Sequence, residues 1–153
     1  PAPTVFARFD GLAMPVGDES VDAVVTYVVL THVMSDEELA TLLSECYRVL
    51  KPGAPMVCIE QVRAKDRRDP TGWKYFRTLG RWSRAFADAG LRLKSRRTIR
   101  FGRFPLTYLV RAGLWPRPLF GLASAIESAL GRALTTLPGD YGDVLFVLEK
   151  PLR

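Results

Sequence analysis

The stretch from Ser20 to Glu60 constrains this chain most, because it reads strand, turn, capped helix, Pro-Gly turn, strand. Val21 to Val29 (VDAVVTYVV) is rich in β-branched residues and uncharged after Asp22, the composition of a strand buried on both faces of a parallel sheet. A central strand is therefore expected. Ser35 followed by Glu38 is a capping box, and Leu39, Leu42, Leu43, Cys46, Val49 and Leu50 recur at three- and four-residue steps along one helical face. Lys51-Pro52-Gly53 ends that helix, since Pro52 disfavours helical geometry at Lys51 and Gly53 can adopt the positive φ of a type II turn. Met56 to Ile59 is the next strand. Strand, helix and strand in this order make a βαβ unit with a right-handed crossover.

These residues also resemble a family. The runs FDGLAMPVGDESVDAVVTYVVLTHV and ECYRVLKPGAPMVCIE are similar to the middle of the class I S-adenosylmethionine-dependent methyltransferases. Asp10, Met14-Pro15, Val21-Asp22, Leu30-Thr31-His32-Val33 and Arg48-Val49-Leu50-Lys51-Pro52-Gly53-Ala54 follow the family's pattern, with Val21, Thr31 and Ala54 as mild departures. The family's glycine-rich turn after its first strand, and the acid that holds the ribose, have no counterpart in this sequence. The resemblance spans positions 5 to about 99 and 143 to 151. It implies an α/β fold, the C-terminal part of a Rossmann-like methyltransferase sheet, mostly parallel with an antiparallel terminal strand and a helical insert. It also implies a sheet order of 21–29, 55–60, 143–149 and 91–99, with the last at the edge. A chain lacking the glycine turn is expected to be inactive alone, and the open flank of its 21–29 strand to favour self-association.

Elsewhere the chain supplies covering elements. Val5 to Asp10 alternates weakly as a short strand, and Val62 to Pro70 is polar and reads as a loop. Trp73, Phe76, Leu79, Trp82, Phe86 and Ala89 step as a second covering helix, which Gly90 ends. Leu91, Leu93, Ile99 and Phe101 alternate with Arg92, Lys94, Arg96 and Arg100, the pattern of a half-exposed edge strand. Residues 102–140 are read as a helical insert capping the substrate end of the cleft: Leu106 to Leu114 is one apolar piece, and Pro118 opens a helix striped by Leu119, Leu122, Ile126, Leu130 and Leu134. The alternative is a helix pair that dimerises or lies on a membrane surface. Asp143 to Leu148 closes the sheet.

One hundred and fifty-three residues, 48% hydrophobic and 25% charged, suit a single domain spanning 1–153. Cys46 and Cys58 lack metal-ligand spacing and are expected as buried thiols, and no metal is expected. The apolar runs are broken by Arg111 and Arg117 short of a membrane span, so a cytoplasmic protein is expected. Charge is bipolar: residues 63–103 carry 14 Lys or Arg against Asp66, Asp69 and Asp88. That stretch is either a surface for an anionic partner or a solvated helix face and defended sheet edge.

By the resemblance the cofactor is S-adenosylmethionine, with Asp10 accepting from the adenine amino group, the Gly11 backbone approaching the ring, and Thr26 and Tyr27 contacting the cofactor through their backbone. Asp10-Gly11 is equally a plain turn signal. His32, the lone histidine, is the candidate base or a loop-shaping residue. Glu60, ending a strand at the same cleft, orients a substrate hydroxyl or amine or pairs with a nearby arginine. The expected activity of the intact protein is methyl transfer to a small-molecule acceptor, anionic or not. The rival is a non-catalytic module engaging an anionic lipid surface or a protein partner.

Overall fold

The computed structural model describes residues 6–101, 109–133 and 142–152. Strand β1 (Val24–Tyr27) leads through a short 3-10 turn at Leu30–His32 into helix α1 (Asp36–Val49), and β2 (Pro55–Arg63) follows. The chain continues through β3 (Arg67–Arg68), β4 (Tyr75–Thr78), α2 (Leu79–Asp88), β5 (Arg92–Phe101), α3 (Phe120–Ala133) and β6 (Gly142–Glu149).

Helix α1 forms where its signals lie. The Ser35 side chain accepts from the Glu38 backbone N–H at 3.0 Å, Asp36, Glu37 and Glu38 fill the first turn, and Arg48 sits in the last. Lys51 to Ala54 then makes the expected turn, with Gly53 at φ +77° and the Ala54 N–H donating to the Lys51 carbonyl at 3.0 Å. The apolar stripe Leu39, Leu43 and Cys46 is buried with Met56 and Cys58 of β2, Trp82 and Phe86 of α2, and Phe146 and Leu148 of β6, and Val49 is buried as well. Phe86 packs its ring against Trp82 and edge-on to Phe146, at centroid distances of 5.8 and 5.2 Å.

β2 is the hub of the sheet. β1 pairs with its first half in parallel, β4 pairs in parallel with Val62 and Arg63, and β6 runs antiparallel along its other side with β5 beyond. β1, β2, β4 and β5 therefore share one direction, with β6 reversed, and the order β1-β2-β6-β5 is the order expected, β5 at the edge. Two register shifts, between Leu93 and Ser95 and between Thr98 and Arg100, break the alternation of β5 and leave Leu93 and Ile99 exposed.

Several expectations are corrected. The 21–29 segment is not a strand buried on both faces: only Val24–Tyr27 pairs, apart from one bridge at Val21, and Val25 and Tyr27 are 73% and 69% exposed. β1 pairs only with β2 among the described residues, so its second face and second edge are open. Residues 6–10 form no strand, because nothing described lies where they could pair. The polar segment after Val62 contains the end of β2 and the short strand β3, and the helix expected from Trp73 starts only at Leu79. Tyr75 to Thr78 pairs instead with β2 and β3, which outweighs its helical spacing. In the insert, Arg117–Leu119 is a 3-10 turn and the helix starts at Phe120. Residues 102–108 and 134–140 lie outside the described residues.

Both cysteines are buried free thiols, and burial pushes Cys46 up to about 11 and Cys58 higher still. Arg48 ties α1 to the preceding segment, contacting Glu45 at 2.7 Å, Asp18 at 2.5 Å and the carbonyls of Val16 and Met14. The Arg48 guanidinium and the Met14 N–H hold the Glu45 carboxyl down at about 2, against 4.5 for a free glutamate. A depressed folded-state value stabilises above the unfolded value and ceases to do so as pH falls through the folded one. Stability is therefore expected to drop between about pH 4.5 and pH 2 in urea titrations. Glu45→Gln should flatten that acid limb while leaving the shape of the curve above pH 6 unchanged.

Candidate functional site at the carboxyl ends of β1 and β2

Ligands of open α/β sheets bind beyond the carboxyl ends of the strands. Here those ends carry a constrained turn. Val28 has φ +54°, a left-handed conformation that a β-branched residue rarely adopts and that costs about 1–3 kcal/mol. Its N–H nevertheless donates to the Ile59 carbonyl at 2.7 Å, which keeps the chain on β2 one residue past the last strand pair.

The next residues are gripped by two buried charged side chains. Glu60, fully buried at the end of β2, accepts from the Leu30 N–H at 3.0 Å with one oxygen. With the other it accepts from the Thr31 N–H at 2.9 Å and the Thr31 hydroxyl at 2.8 Å. Thr26 Oγ1, buried with no partner in normal hydrogen-bond geometry, stands near enough to favour the carboxylate charge. Burial pushes the Glu60 carboxyl up, against the pull of these donors. Arg77 of β4, also fully buried, donates from the other side, to the carbonyls of Leu30 at 3.4 Å, Val33 at 3.0 Å and Ser35 at 3.1 Å and to Asp36 at 3.0 Å. Its guanidinium lies 4.2 Å from the Tyr75 ring centroid and 5.3 Å from that of Trp82.

The structure thus unites Thr26 and Glu60 in one buried cluster with Thr31, and leaves Tyr27 and His32 exposed at its rim. Glu60 neither faces solvent nor pairs with an arginine side chain among the described contacts; its partners are the turn's own donors. Asp10 and Gly11 form a separate turn. Asp10 Oδ1 accepts from the Leu12 N–H at 2.8 Å and the Ala13 N–H at 3.3 Å, which hold its carboxyl below the usual range, and Gly11 has φ +86°. No hydrogen bond links Asp10 to the 26–32 group among the described residues. The helical spacing of Trp73, Phe76 and Leu79 around it hides Arg77 in the sequence. The signal was the Tyr-Phe-Arg-Thr run, whose composition favours a strand.

Of the residues that the resemblance assigns to S-adenosylmethionine, Tyr27 is exposed on the open face of β1 and Asp10 sits in a turn of its own, while the glycine turn and ribose acid have no counterpart in the sequence. Among the described residues no group of three His, Cys, Asp or Glu can hold a metal. No described helix is long and apolar enough to cross a membrane. A groove of about 670 Å³ between α1 and α2 is lined by Asp36, Asp66, Arg81, Arg84 and Asp88. It lies on the helix-covered side, and Arg81 there is paired with Asp36 and Asp66.

Glu60→Gln tests the grip. An amide keeps the shape but offers one oxygen where two accepted, and turns an N–H towards a donor, so a loss of about 1–3 kcal/mol is expected in urea unfolding. The raised folded-state value of Glu60 adds a pH signature: its contribution is fully present below the unfolded value near 4.5 and is lost as pH rises through the folded one. The stability gap between wild type and variant should therefore narrow with rising pH. Faster amide exchange at Leu30 and Thr31 should accompany it.

A family model described as a methyltransferase domain matches residues 2–58. No curated protein matches the sequence. Among solved structures, the [4+2]-cyclase SpnF is 21% identical with a TM-score of 0.64, covering 97% of this chain and 57% of its own. A S-adenosylmethionine-dependent methyltransferase from Methanosarcina mazei is 16% identical with a TM-score of 0.59, covering 95% of this chain and 66% of its own. Geranyl diphosphate C-methyltransferase from Streptomyces coelicolor is 19% identical with a TM-score of 0.63, covering 93% of this chain and 52% of its own. At these identities the structures establish the fold, and this chain spans between about half and two thirds of their lengths. The match to a methyltransferase-domain model covers residues 2–58, and the fold is that of S-adenosylmethionine-dependent methyltransferases.

Proposed function

We propose that this chain serves the transfer of a methyl group from S-adenosylmethionine to a small-molecule acceptor. The observation that carries this reading is the methyltransferase-domain match over residues 2–58, which ends inside β2 and so takes in the whole gripped turn at 28–32. When bound, the cofactor supplies a sulfonium-activated methyl: the acceptor's lone pair forms the new bond in line as the carbon–sulfur electrons leave to sulfur. With the methyl already activated, holding the acceptor in line and excluding water supply most of the rate. In this reading Glu60 and Arg77 keep the turn rigid, and the imidazole of His32, exposed at its end, takes a proton from an acceptor hydroxyl or amine. Tyr27, Thr26, Asp10 and Gly11 belong to the cofactor side. The geranyl diphosphate enzyme and a phosphoethanolamine N-methyltransferase from Haemonchus contortus, with a TM-score of 0.54, are neighbours named for small-molecule acceptors. We assign the activity to the cytoplasm and the whole chain to one domain.

The rival reading, a non-catalytic binding module, draws on the exposed apolar residues Leu119, Phe120 and Leu122 of the insert and on the cationic β5 edge. The [4+2]-cyclase neighbour shows that the fold also carries other chemistry.

Calorimetry separates these readings. S-adenosylmethionine titrated into the 153-residue chain should give no saturable heat at micromolar concentration. A chain extended by any natural upstream sequence that encodes an acidic-x-G-x-G-x-G turn should bind it; failure of that extended chain to bind removes the methyltransferase reading. In such an active chain Leu122→Ala, in the 102–140 insert read as a cap, should raise the acceptor KM or lower turnover. The cofactor Kd should move less than about threefold.

A further inference from the structure

β3 and β4 form an antiparallel hairpin, with Arg67 opposite Phe76 and Arg68 opposite Tyr75, and the Asp69 N–H donates to the Lys74 carbonyl at 2.8 Å one step nearer the tip. The tip itself is a built turn. The Gly72 N–H donates to the Asp69 carbonyl at 2.9 Å, the Thr71 hydroxyl donates to the Asp69 carboxylate, and Gly72 has φ +76°, where a side chain would be strained. This turn holds out Trp73, which is 73% exposed. Its spacing predicts a place on the buried stripe of a helix; the structure instead puts its ring on a hairpin tip, in contact with no other ring or cation among the described residues.

Cations surround the tip on both faces. Alternation sets Arg67 and Lys74 on one face of the hairpin and Arg68 on the other, and Lys65 leads into it. Lys65, Arg67 and Arg68 are exposed and Lys74 is half-buried, and none of the four has a carboxylate within ion-pair distance among the described residues. The two acids of the segment are engaged elsewhere. Asp66 accepts from the Thr78 N–H at 2.7 Å and from Arg81 at 2.8 Å, and Asp69 is held by Thr71. The hairpin is also anchored, since Arg77 of β4 donates to the carbonyls of Val33 and Ser35 in the gripped turn.

We propose that this tip docks the protein on an anionic phospholipid surface, with the Trp73 indole in the headgroup layer and Lys65, Arg67, Arg68 and Lys74 against the lipid phosphates and carboxylates. An indole has an apolar body and one N–H donor, which suits the boundary between headgroups and acyl chains. Basic side chains beside it are drawn to anionic headgroups at short range. Cations on both faces fit a tip that enters a plane and meets headgroups on every side, whereas a groove for single-stranded nucleic acid pairs a one-sided basic track with several stacking rings. The docking does not rest on the methyl-transfer reading.

The test is co-sedimentation of the 153-residue chain with phosphatidylcholine vesicles containing about 30% phosphatidylserine, in about 0.1 M salt, with tryptophan emission as a second readout. Binding with a blue shift in emission is expected, at least about fivefold weaker on phosphatidylcholine alone. Trp73→Ala should weaken binding at least about fivefold and remove the blue shift, and Arg67→Ala should weaken it about threefold. Both side chains are exposed, so the thermal unfolding midpoint should not move. No binding up to about 1 mM anionic lipid overturns the proposal, and so does equal binding to phosphatidylcholine alone. Binding that survives Trp73→Ala but falls with Leu122→Ala assigns the contact to the insert and overturns it as well. A chain that ignores vesicles but binds a single-stranded oligonucleotide through Trp73 carries a nucleic-acid platform, which also overturns it.

Discussion

Everything at the functional end of this sheet depends on how the turn after β1 is held. Backbone N–H groups of Leu30 and Thr31 point at the Glu60 carboxylate, and the carbonyls of Leu30, Val33 and Ser35 point at the Arg77 guanidinium. A negative group thus meets the donor end of the turn and a positive group the acceptor end, the arrangement that peptide dipoles favour. Hydrogen bonds to charged groups contribute about 1.5–3 kcal/mol each, so together they outweigh the roughly 1–3 kcal/mol of strain at Val28. Desolvation is the opposing cost, and the upward push on the Glu60 carboxyl is its visible trace.

The same grip organises the core. Arg77 reaches Asp36 at the start of α1 while stacking near Trp82 of α2, so one side chain on β4 registers both helices against the sheet. Trp82 in turn donates to the Gln61 carbonyl at 3.3 Å, next to Glu60. Catalytic geometry in such a fold need not come from reactive side chains. It can come from a turn that is too constrained to move, which suits a reaction whose electrophile arrives already activated.

The two faces of the sheet are unequal, and this frames what the site can bind. The helix face is closed by α1 and α2, and there Arg81 pairs with Asp36 and Asp66. The other face is open at Val25 and Tyr27 and carries cations at its carboxyl end. Much of the basic stretch does have the structural work that charge patterning suggested: Arg92 and Lys94 both pair with Glu149, which lowers that carboxyl. Arg77 and Arg81 are likewise paired, both with Asp36.

Local chemistry was legible in the sequence wherever a few neighbouring residues decide the outcome. Ser35 and Glu38 fixed where α1 starts, Pro52 and Gly53 the turn that ends it, and the apolar stripe from Leu39 to Val49 the face it buries. The family resemblance supplied the order of strands. Tertiary structure decided the rest, because pairing and burial are non-local. Tyr75 to Thr78 has helical spacing with its neighbours yet became a strand, since β2 offered it open backbone at Val62 and Arg63. Residues 6–10 have strand character without a partner and stayed irregular. Glu60 was visible as an acid at a strand end, but a sequence does not say whether a carboxylate meets a ligand, an arginine or the backbone. Here the turn's own N–H groups reach it, because Val28 bends the chain back over β2 and brings Leu30 and Thr31 onto the carboxylate.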